Sequence, residues 1–232
     1  MLMQALIFRW VDVIVTPSHY LKNVLTEFYY VEPSKIEVIH NAVEAENVNL
    51  GKKNGLICTI GRLTPWKSVD GIIKAMQKVI KVVPDSTLLI VGDGPERKKL
   101  EKFAKECRIS EHIVFLGKKD HDEVLELLRR ASLFVLNSKY EGLPHTVIEA
   151  MACKTPVVAT DIRGIREVIE NGTGLIVEVN NEDDLAEKII YSLEEKEETR
   201  KRVKRAYKRV KQEFSWEVNL KKLERMFKRV SK

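Results

Sequence analysis

Short apolar segments that alternate with amphipathic helices are the feature that most constrains the fold of this 232-residue chain. Six such segments are LICTIG (56–61), TLLIVG (87–92), IVFLG (113–117), LFVLNS (133–138), PVVAT (156–160) and GLIVE (174–178). Between them, apolar residues recur with the 3.6-residue period of a helix that has one buried face. Nearly continuous apolar strands joined by helices are typical of a parallel sheet covered on both faces. The sequence therefore predicts a doubly wound, Rossmann-like α/β fold, with ligands at the carboxyl ends of the strands.

The first fifty residues form a separate pattern. Two further strand candidates, residues 11–18 and 35–43, flank a helix that carries Leu21, Val24, Leu25 and Phe28 on one face. The polar stretch Gly51–Gly55 reads as a linker, which places a boundary near residues 44–55. A βαβ-like piece of about 40 residues is too small to hold a core of its own. We expect it to pack against the main domain or to be the end of a larger domain.

Charge is unevenly distributed along the chain, whose net charge is +6 and whose isoelectric point is near 9.1. From Glu194 to Lys232 there are 15 basic and 7 acidic residues, or +8, whereas the preceding 193 residues carry 25 against 27. The basic segments alternate with apolar residues at helical spacing, among them Tyr207, Phe214, Trp216 and Phe227. Such segments are typical of docking helices with a solvated outer face, so a nucleic-acid partner is not expected. A peripheral contact with an anionic membrane surface is the alternative.

The cysteines and the apolar start of the chain indicate the cellular compartment of the protein. Cys58, Cys107 and Cys153 are odd in number and lack the spacing of a disulfide framework or a zinc site. The apolar start has eight residues before Arg9, fewer than the roughly twenty that a membrane-spanning helix needs. We expect a cytoplasmic protein, with membrane association as an alternative.

The loop after the first main strand carries the first candidate site. Gly61 would let a ligand approach the backbone, and the following helix N-terminus offers N–H groups to an anion. Arg62 and Lys67 would add two cations on the same side, a combination that suits a diphosphate. The alternative, that both are solvated surface charges, is equally consistent with this local pattern.

The turn after the second strand, Gly92 to Glu96, is weaker evidence. Its glycines and Pro95 are typical of a tight turn into a helix. Asp93 has no second carboxylate at ligand spacing, so we do not expect a divalent metal there.

The segment after the fourth strand is the most informative. Glu141 and Glu149 lie eight residues apart across a Gly/Pro turn that opens a helix. Because Glu149 stands among apolar residues, its carboxylate needs hydrogen-bond donors such as sugar hydroxyls or backbone amides. The alternatives are that Glu149 pairs with a buried arginine and that Glu141 caps the helix. His145, in the same loop, is more often structural or solvated.

Taken together, these motifs resemble a known family. The runs GRLTPWKSVD, VGDGPE, VFLG, EGLPHTVIEAMACKTPVVAT and NGTGLIV are similar to the C-terminal, donor-binding domain of retaining GT-B glycosyltransferases of family 4. The resemblance covers residues 11–230 in consistent order. Glu141 and Glu149 match the E-x7-E motif of that family.

The resemblance implies roles for individual residues. Arg62 and Lys67 would bind the donor diphosphate, Glu149 the ribose hydroxyls, and Glu141 the donor sugar, with Arg62, Lys67 and Glu141 as the catalytic set. Backbone groups at Leu116 and Lys118 would hold the nucleobase, and the amides of His145, Thr146 and Val147 would face the phosphates. Gly61 and Gly92 complete the expected donor site. No metal and no cofactor are implied; the substrate would be a UDP-, GDP- or ADP-linked sugar.

This chain departs from the family pattern at a few motif positions and, more strongly, in the length of its N-terminal part. Ala42, Ser68 and Lys154 stand where the family usually has glycine. We expect residues 1–48 to be a remnant of the N-terminal domain, 49–213 the donor-binding domain and 214–232 a crossover helix. The acceptor half would then come from a separate N-terminal partner or from a homo-oligomer. A nucleotide-sugar binding module without activity and a GT-B nucleotide-sugar epimerase are the alternative functions.

Overall fold

The computed structural model describes residue 8 and residues 10–45, 51–170 and 172–231. Most of the apolar start, residues 46–50 of the expected linker, and Asn171 of the NGTGLIV run lie outside the described residues. The strands are β1 (Ile14–Thr16), β2 (Ile36–Val38), β3 (Lys53–Ile60), β4 (Thr87–Val91), β5 (Ile113–Gly117), β6 (Ala131–Leu136), β7 (Val157–Thr160) and β8 (Leu175–Val177). The α-helices are α1 (His19–Tyr29), α2 (Val69–Val82), α3 (Arg97–Glu106), α4 (His121–Arg130), α5 (His145–Ala152), α6 (Arg163–Arg166), α7 (Glu182–Glu194), α8 (Lys196–Arg209) and α9 (Trp216–Val230).

The main sheet has six parallel strands in the order β5-β4-β3-β6-β7-β8. Counted within this sheet, the order is 3-2-1-4-5-6, the arrangement of dinucleotide-binding Rossmann domains. The chain reverses direction across the sheet between β3 and β6, and this switch point is where such folds bind ligands. The predicted doubly wound α/β fold is confirmed.

The core lies on both faces of this sheet because successive strand residues point to opposite sides. Along β3, Ile57 packs with the helix α2 residues Ile72 and Met76 on one face. Its neighbour Cys58 packs with Phe134 and the α5 residues on the other. Two buried faces explain why the strands read as continuous apolar runs rather than as alternating ones.

Strand β3 begins earlier than the sequence indicates. Hydrogen bonding to β6 starts at Lys53, whose partner is Ala131. The interpretation of residues 53–55 as linker is therefore wrong, because strand pairing overrides their polar character. The domain limits 1–48, 49–213 and 214–232 stay predictions.

The N-terminal segment forms a small unit in which β1 and β2 pair in parallel and α1 connects them. Ser18 caps α1 by accepting a hydrogen bond from the Leu21 amide. Helix α1 has no fully buried residue, and Phe28 is 66% exposed, so the apolar face that the sequence predicts is only partly covered. The unit contacts the sheet domain through Glu167, which accepts hydrogen bonds from the amides of His19 and Tyr20 at 2.6 and 3.0 Å.

The C-terminal segment returns to the N-terminal segment. Helix α8 passes through one π-helical stretch, Val210–Phe214, into α9. The Val43 amide donates to the Phe214 carbonyl at 2.9 Å, and the Phe214 side chain is fully buried. Trp216 and Phe227, which the sequence places on a packing face, are 54% and 57% exposed. Among the described residues, no helix is both long and apolar enough to span a membrane.

Candidate functional site

Two glycines at the carboxyl ends of β3 and β4 bring these strand ends close together. Gly61 and Gly92 have φ angles of +156° and +128°, and a Cβ atom on Gly92 would lie 2.0 Å from the Gly61 carbonyl oxygen. The Gly61 amide donates to Val91 and the Gly92 amide to Gly117, so β3, β4 and β5 end at one edge. A side chain at Gly92 would separate the strand ends, which explains the glycine there, whereas at Gly61 it is the positive φ angle that favours glycine.

The loop that carries Lys67 is fixed across the switch point. A short 3₁₀ turn, Pro65–Lys67, ends at Ser68, which has the left-handed φ of 45°. The Asn137 side-chain amide, just after β6, donates to the Ser68 carbonyl at 3.0 Å. The Lys139 backbone amide donates to the Trp66 carbonyl at 2.7 Å. The loops after β3 and β6 are thereby held as one structure.

This arrangement brings Lys67 and Glu141 together. The Lys67 Nζ atom lies 2.5 Å from Glu141 Oε1, and the two side chains are 19% and 14% exposed. Behind them, a Cβ atom on Gly164 would lie 2.2 Å from the Glu141 carbonyl oxygen, so α6 supports the loop closely. The alternative that Glu141 caps α5 is wrong, because Pro144 occupies the N-cap and no side chain caps the helix.

A cavity of about 790 Å³ lies along this edge. Its lining includes Gly61, Arg62, Gly92, Asp93 and Lys118. Asp93 is engaged by the Gly94 amide at 2.7 Å and by Arg97 at 3.4 Å. In the part of the chain that the structure describes, Arg62 has no ion pair, so its charge is available to an anion in the cavity.

Glu149 is 5% exposed on α5 and is held by two histidines. His145 Nδ1 lies 3.1 Å and His121 Nδ1 3.5 Å from Glu149 Oε1. The alternative of a buried arginine partner is wrong, since histidines take that place. Both contacts involve Oε1, which leaves the second carboxylate oxygen for another donor.

The histidine contact has an electrostatic consequence. The hydrogen bond from His145 to Glu149 raises the pKa of His145 above its ordinary value, although burial opposes the shift. The shift has this direction because a carboxylate favours the charged imidazolium over the neutral ring. The two residues border a cavity of about 390 Å³ together with His121, Glu44 and Trp216.

Other candidate residues fall at the same edge with different degrees of access. Leu116 is half-buried near the end of β5, and Lys118 is exposed just beyond it. The Val147 amide donates to the Pro144 carbonyl at 3.0 Å, so it is already engaged in the first turn of α5. The amides of His145 and Thr146 have no main-chain acceptor among the described residues. They lie in the first turn of α5, at the positive end of the helix dipole.

Cavity size alone does not locate this site. A second cavity of about 790 Å³ lies at the opposite, amino-terminal end of the sheet, lined by Lys52, Ser132, Lys154, Arg200 and Tyr207 among others. None of the candidate donor-site residues lines it. The carboxyl-end location, the glycine turns and the paired charges favour the first cavity.

Sequence reasoning missed two residues of this edge. His121 begins α4 directly after the β5 loop, where Asp120 and Glu123 form a capping box. Asn137 follows β6 and holds the Ser68 turn. Both follow strand ends, so the rule that ligands gather at carboxyl ends was the signal that could have found them.

The strand order and the cation-bearing cavity at the switch point define a Rossmann-type α/β protein with a ligand-binding edge. The chain belongs to the glycosyl transferases group 1 family, whose model matches residues 41–209. A model described as Glycosyltransferase Family 4 matches residues 1–47.

Two curated relatives illustrate the similarity. An uncharacterized glycosyltransferase of Methanocaldococcus jannaschii is 38% identical over 209 residues, covering 89% of this chain and 56% of that protein. The N-acetyl-alpha-D-glucosaminyl L-malate synthase of Bacillus anthracis is 33% identical over 217 residues, covering 88% of this chain and 56% of that protein. This chain thus spans little more than half the length of these relatives.

Solved structures agree on the fold. A glycosyltransferase from Rickettsia africae has a TM-score of 0.88 at 24% identity, covering 99% of this chain and 67% of that one. The Anabaena HepE protein, solved with UDP and glucose, has a TM-score of 0.88 at 20% identity, covering 98% and 66%. The predicted GT-B type of α/β fold is confirmed by these similarities.

Proposed function

We propose that this chain binds the nucleoside-diphosphate sugar donor of a retaining glycosyltransferase, and that sugar transfer to an acceptor hydroxyl requires an N-terminal half. The carrying observation is the Lys67–Glu141 pair, 2.5 Å apart beside the glycine turns of the switch point. Family membership supports a glycosyltransferase. Retention, donor binding and the need for a second half rest on the resemblance and on this geometry.

The charges suit a diphosphate. Arg62 is without an ion pair among the described residues, and Lys67 could exchange Glu141 for a phosphate oxygen, so that its own charge stays paired. Charge-assisted hydrogen bonds of this kind also stabilise the diphosphate as it departs, which lowers the barrier to transfer. Because these cations and amides can neutralise the leaving group, we propose a metal-independent reaction.

The carboxylates suit the sugars at either side of the diphosphate. Glu149 keeps one oxygen for ribose hydroxyls, since His145 and His121 both contact Oε1. Glu141 would face the donor sugar once Lys67 turns to the phosphate. UDP is among the ligands named for the HepE structure, and a UDP-, GDP- or ADP-linked donor is what we propose here.

Nucleotide binding provides the first test. We would measure thermal shifts with millimolar UDP, GDP and ADP in buffer containing EDTA, because ligands that bind the native state raise its melting temperature. At least one nucleotide should stabilise the wild type, and Arg62→Ala or Glu149→Ala should remove most of the shift. Arg130→Ala is the matched control, because Arg130 pairs with Glu126 on the exposed side of α4. The absence of any shift in the wild type would overturn the proposal.

Two other functions share the nucleotide site. A binding module would take up labelled nucleotide sugar and release it unchanged, and a GT-B epimerase would return an epimer. The E-x7-E spacing with Arg62 and Lys67 favours the transferase. Sugar release or transfer from a labelled donor, with and without a co-expressed N-terminal half, distinguishes the three.

A further inference from the structure

Two histidines and a glutamate come together where the N-terminal unit meets the sheet domain. His19 is the first residue of α1, His40 follows β2, and Glu167 follows α6. One potential ligand atom from each residue lies within 4.8 Å of the other two. These residues belong to three separate segments, so only the folded chain assembles them.

The chemical state of His40 suits metal coordination. Its Nδ1 atom lies 2.8 Å from the Pro17 carbonyl oxygen, which can only accept, so Nδ1 carries the proton. The lone pair of the ring is therefore on Nε2. Histidine ligands in metal sites are typically oriented by such a hydrogen bond from the opposite nitrogen.

Glu167 is also fixed in place. Its two oxygens accept hydrogen bonds from the amides of His19 and Tyr20, at 2.6 and 3.0 Å. A carboxylate has about four lone-pair positions, so each oxygen can still bind a cation. His19 is exposed, and its ring can rotate to shorten the 4.8 Å spread toward the roughly 3.3 Å between adjacent ligands of a tetrahedral zinc ion.

We propose that His19, His40 and Glu167 bind one Zn²⁺ ion, with water as the fourth ligand, and that this ion links the N-terminal unit to the sheet domain. Two imidazoles and one carboxylate form a ligand set that zinc prefers. The charge of Glu167 offsets the positive end of the α1 dipole and the nearby Lys222. The positive end of the dipole and the Lys222 charge both repel a cation. We therefore expect micromolar rather than tighter affinity for Zn²⁺.

The test is Co²⁺ and Zn²⁺ binding by the full chain, prepared without a polyhistidine tag. Co²⁺ should produce the visible absorption bands of a tetrahedral site, and Zn²⁺ should displace it and raise the melting temperature. His19→Ala should lower the affinity at least tenfold. His19 is exposed, so this variant should fold like the wild type.

The control is His121→Ala, which removes a histidine near a different glutamate, Glu149. It should leave the Co²⁺ spectrum unchanged. No rise in the melting temperature of the wild type at about 100 µM Zn²⁺, or equal Zn²⁺ binding by wild type and His19→Ala, would overturn the proposal. Nucleotide binding is a separate readout, so failure of this site and failure of the proposed function are distinguishable.

Discussion

Lys67 and Glu141 lie on opposite sides of the topological switch point, yet their Nζ and Oε1 atoms are 2.5 Å apart. Lys67 is placed by the turn after β3 and Glu141 by the loop after β6. The pair neutralises two charges that are less than one-fifth exposed, which is favourable only while both partners are present. A bound diphosphate would give Lys67 a new partner and release the carboxylate.

The two sides of this pair are expected to respond differently to substitution. Lys67→Met should weaken nucleoside-diphosphate binding about 10- to 100-fold, the effect of one charge-assisted hydrogen bond. Glu141→Gln should leave that affinity undiminished, because it removes a competitor for Lys67, while lowering sugar transfer. Calorimetric titration with the nucleoside diphosphate measures the affinity of each variant. Lys74→Met, which breaks the exposed pair with Glu182, is the control, and an equal loss in all three variants would contradict the assignment.

The pH dependence of stability should report the contact between His145 and Glu149. Because the folded pKa of His145 is raised, the stability from this contact is present below pH 6.5 and is lost as pH rises through the folded pKa. We expect less than about 1 kcal/mol, since the His145 side chain is 41% exposed and solvent screens the pair. Urea unfolding of wild type and His145→Gln, at pH values from below 6.5 upward, measures this stability difference. A difference that grows with pH, or that persists in a Glu149→Gln background, would contradict the sign.

The strands were the most predictable part of the fold. Ile113–Gly117 has the bounds that the sequence indicates, because a run of apolar residues closed by glycine has few alternatives. Lys53 was missed because its place in β3 depends on pairing with Ala131, which lies 78 positions away in the sequence. Local composition contains no information on such a pairing.

The candidate site was predictable in its residues but not in its contacts. Glycine turns and cations after apolar strands indicated Gly61, Arg62 and Lys67. That Lys67 would contact Glu141, and that Glu149 would meet histidines rather than an arginine, depends on loop conformations set by Ser68 and by tertiary packing. Trp216 and Phe227 show the converse case, because an apolar helical period predicts burial only when a partner surface covers it.

Gly92 is expected to be intolerant of any side chain. Gly92→Ala would place a Cβ atom 2.0 Å from the Gly61 carbonyl oxygen at a φ of +128°, so the strand ends must separate. We expect a loss of about 2–4 kcal/mol in the free energy of unfolding, together with loss of nucleotide binding. At Gly51, where φ is +75°, a Cβ atom would meet no atom of the described residues within 4 Å, so backbone strain in Gly51→Ala should cost about 1 kcal/mol. Chemical denaturation compares the two, and equal losses would show that the contact with Gly61 is unimportant.

Asn137 should affect nucleotide binding indirectly, by holding the turn that carries Lys67. It is 7% exposed, and its side chain donates to the carbonyl of Ser68, which follows Lys67 directly. Asn137→Ala removes this bond and leaves the Ser68 carbonyl with the Gly71 amide as its hydrogen-bond donor, so we expect about 1 kcal/mol lower stability and a several-fold weaker affinity for nucleoside diphosphate. Ser132→Ala is the matched control, because it removes a side-chain bond to the Leu56 carbonyl at the other end of β6. Titrations well below the melting temperatures of both variants separate the effect on nucleotide affinity from the effect on stability. Ser132→Ala should bind the nucleotide as the wild type does. Unchanged affinity in Asn137→Ala would mean that the Ser68 turn does not position Lys67.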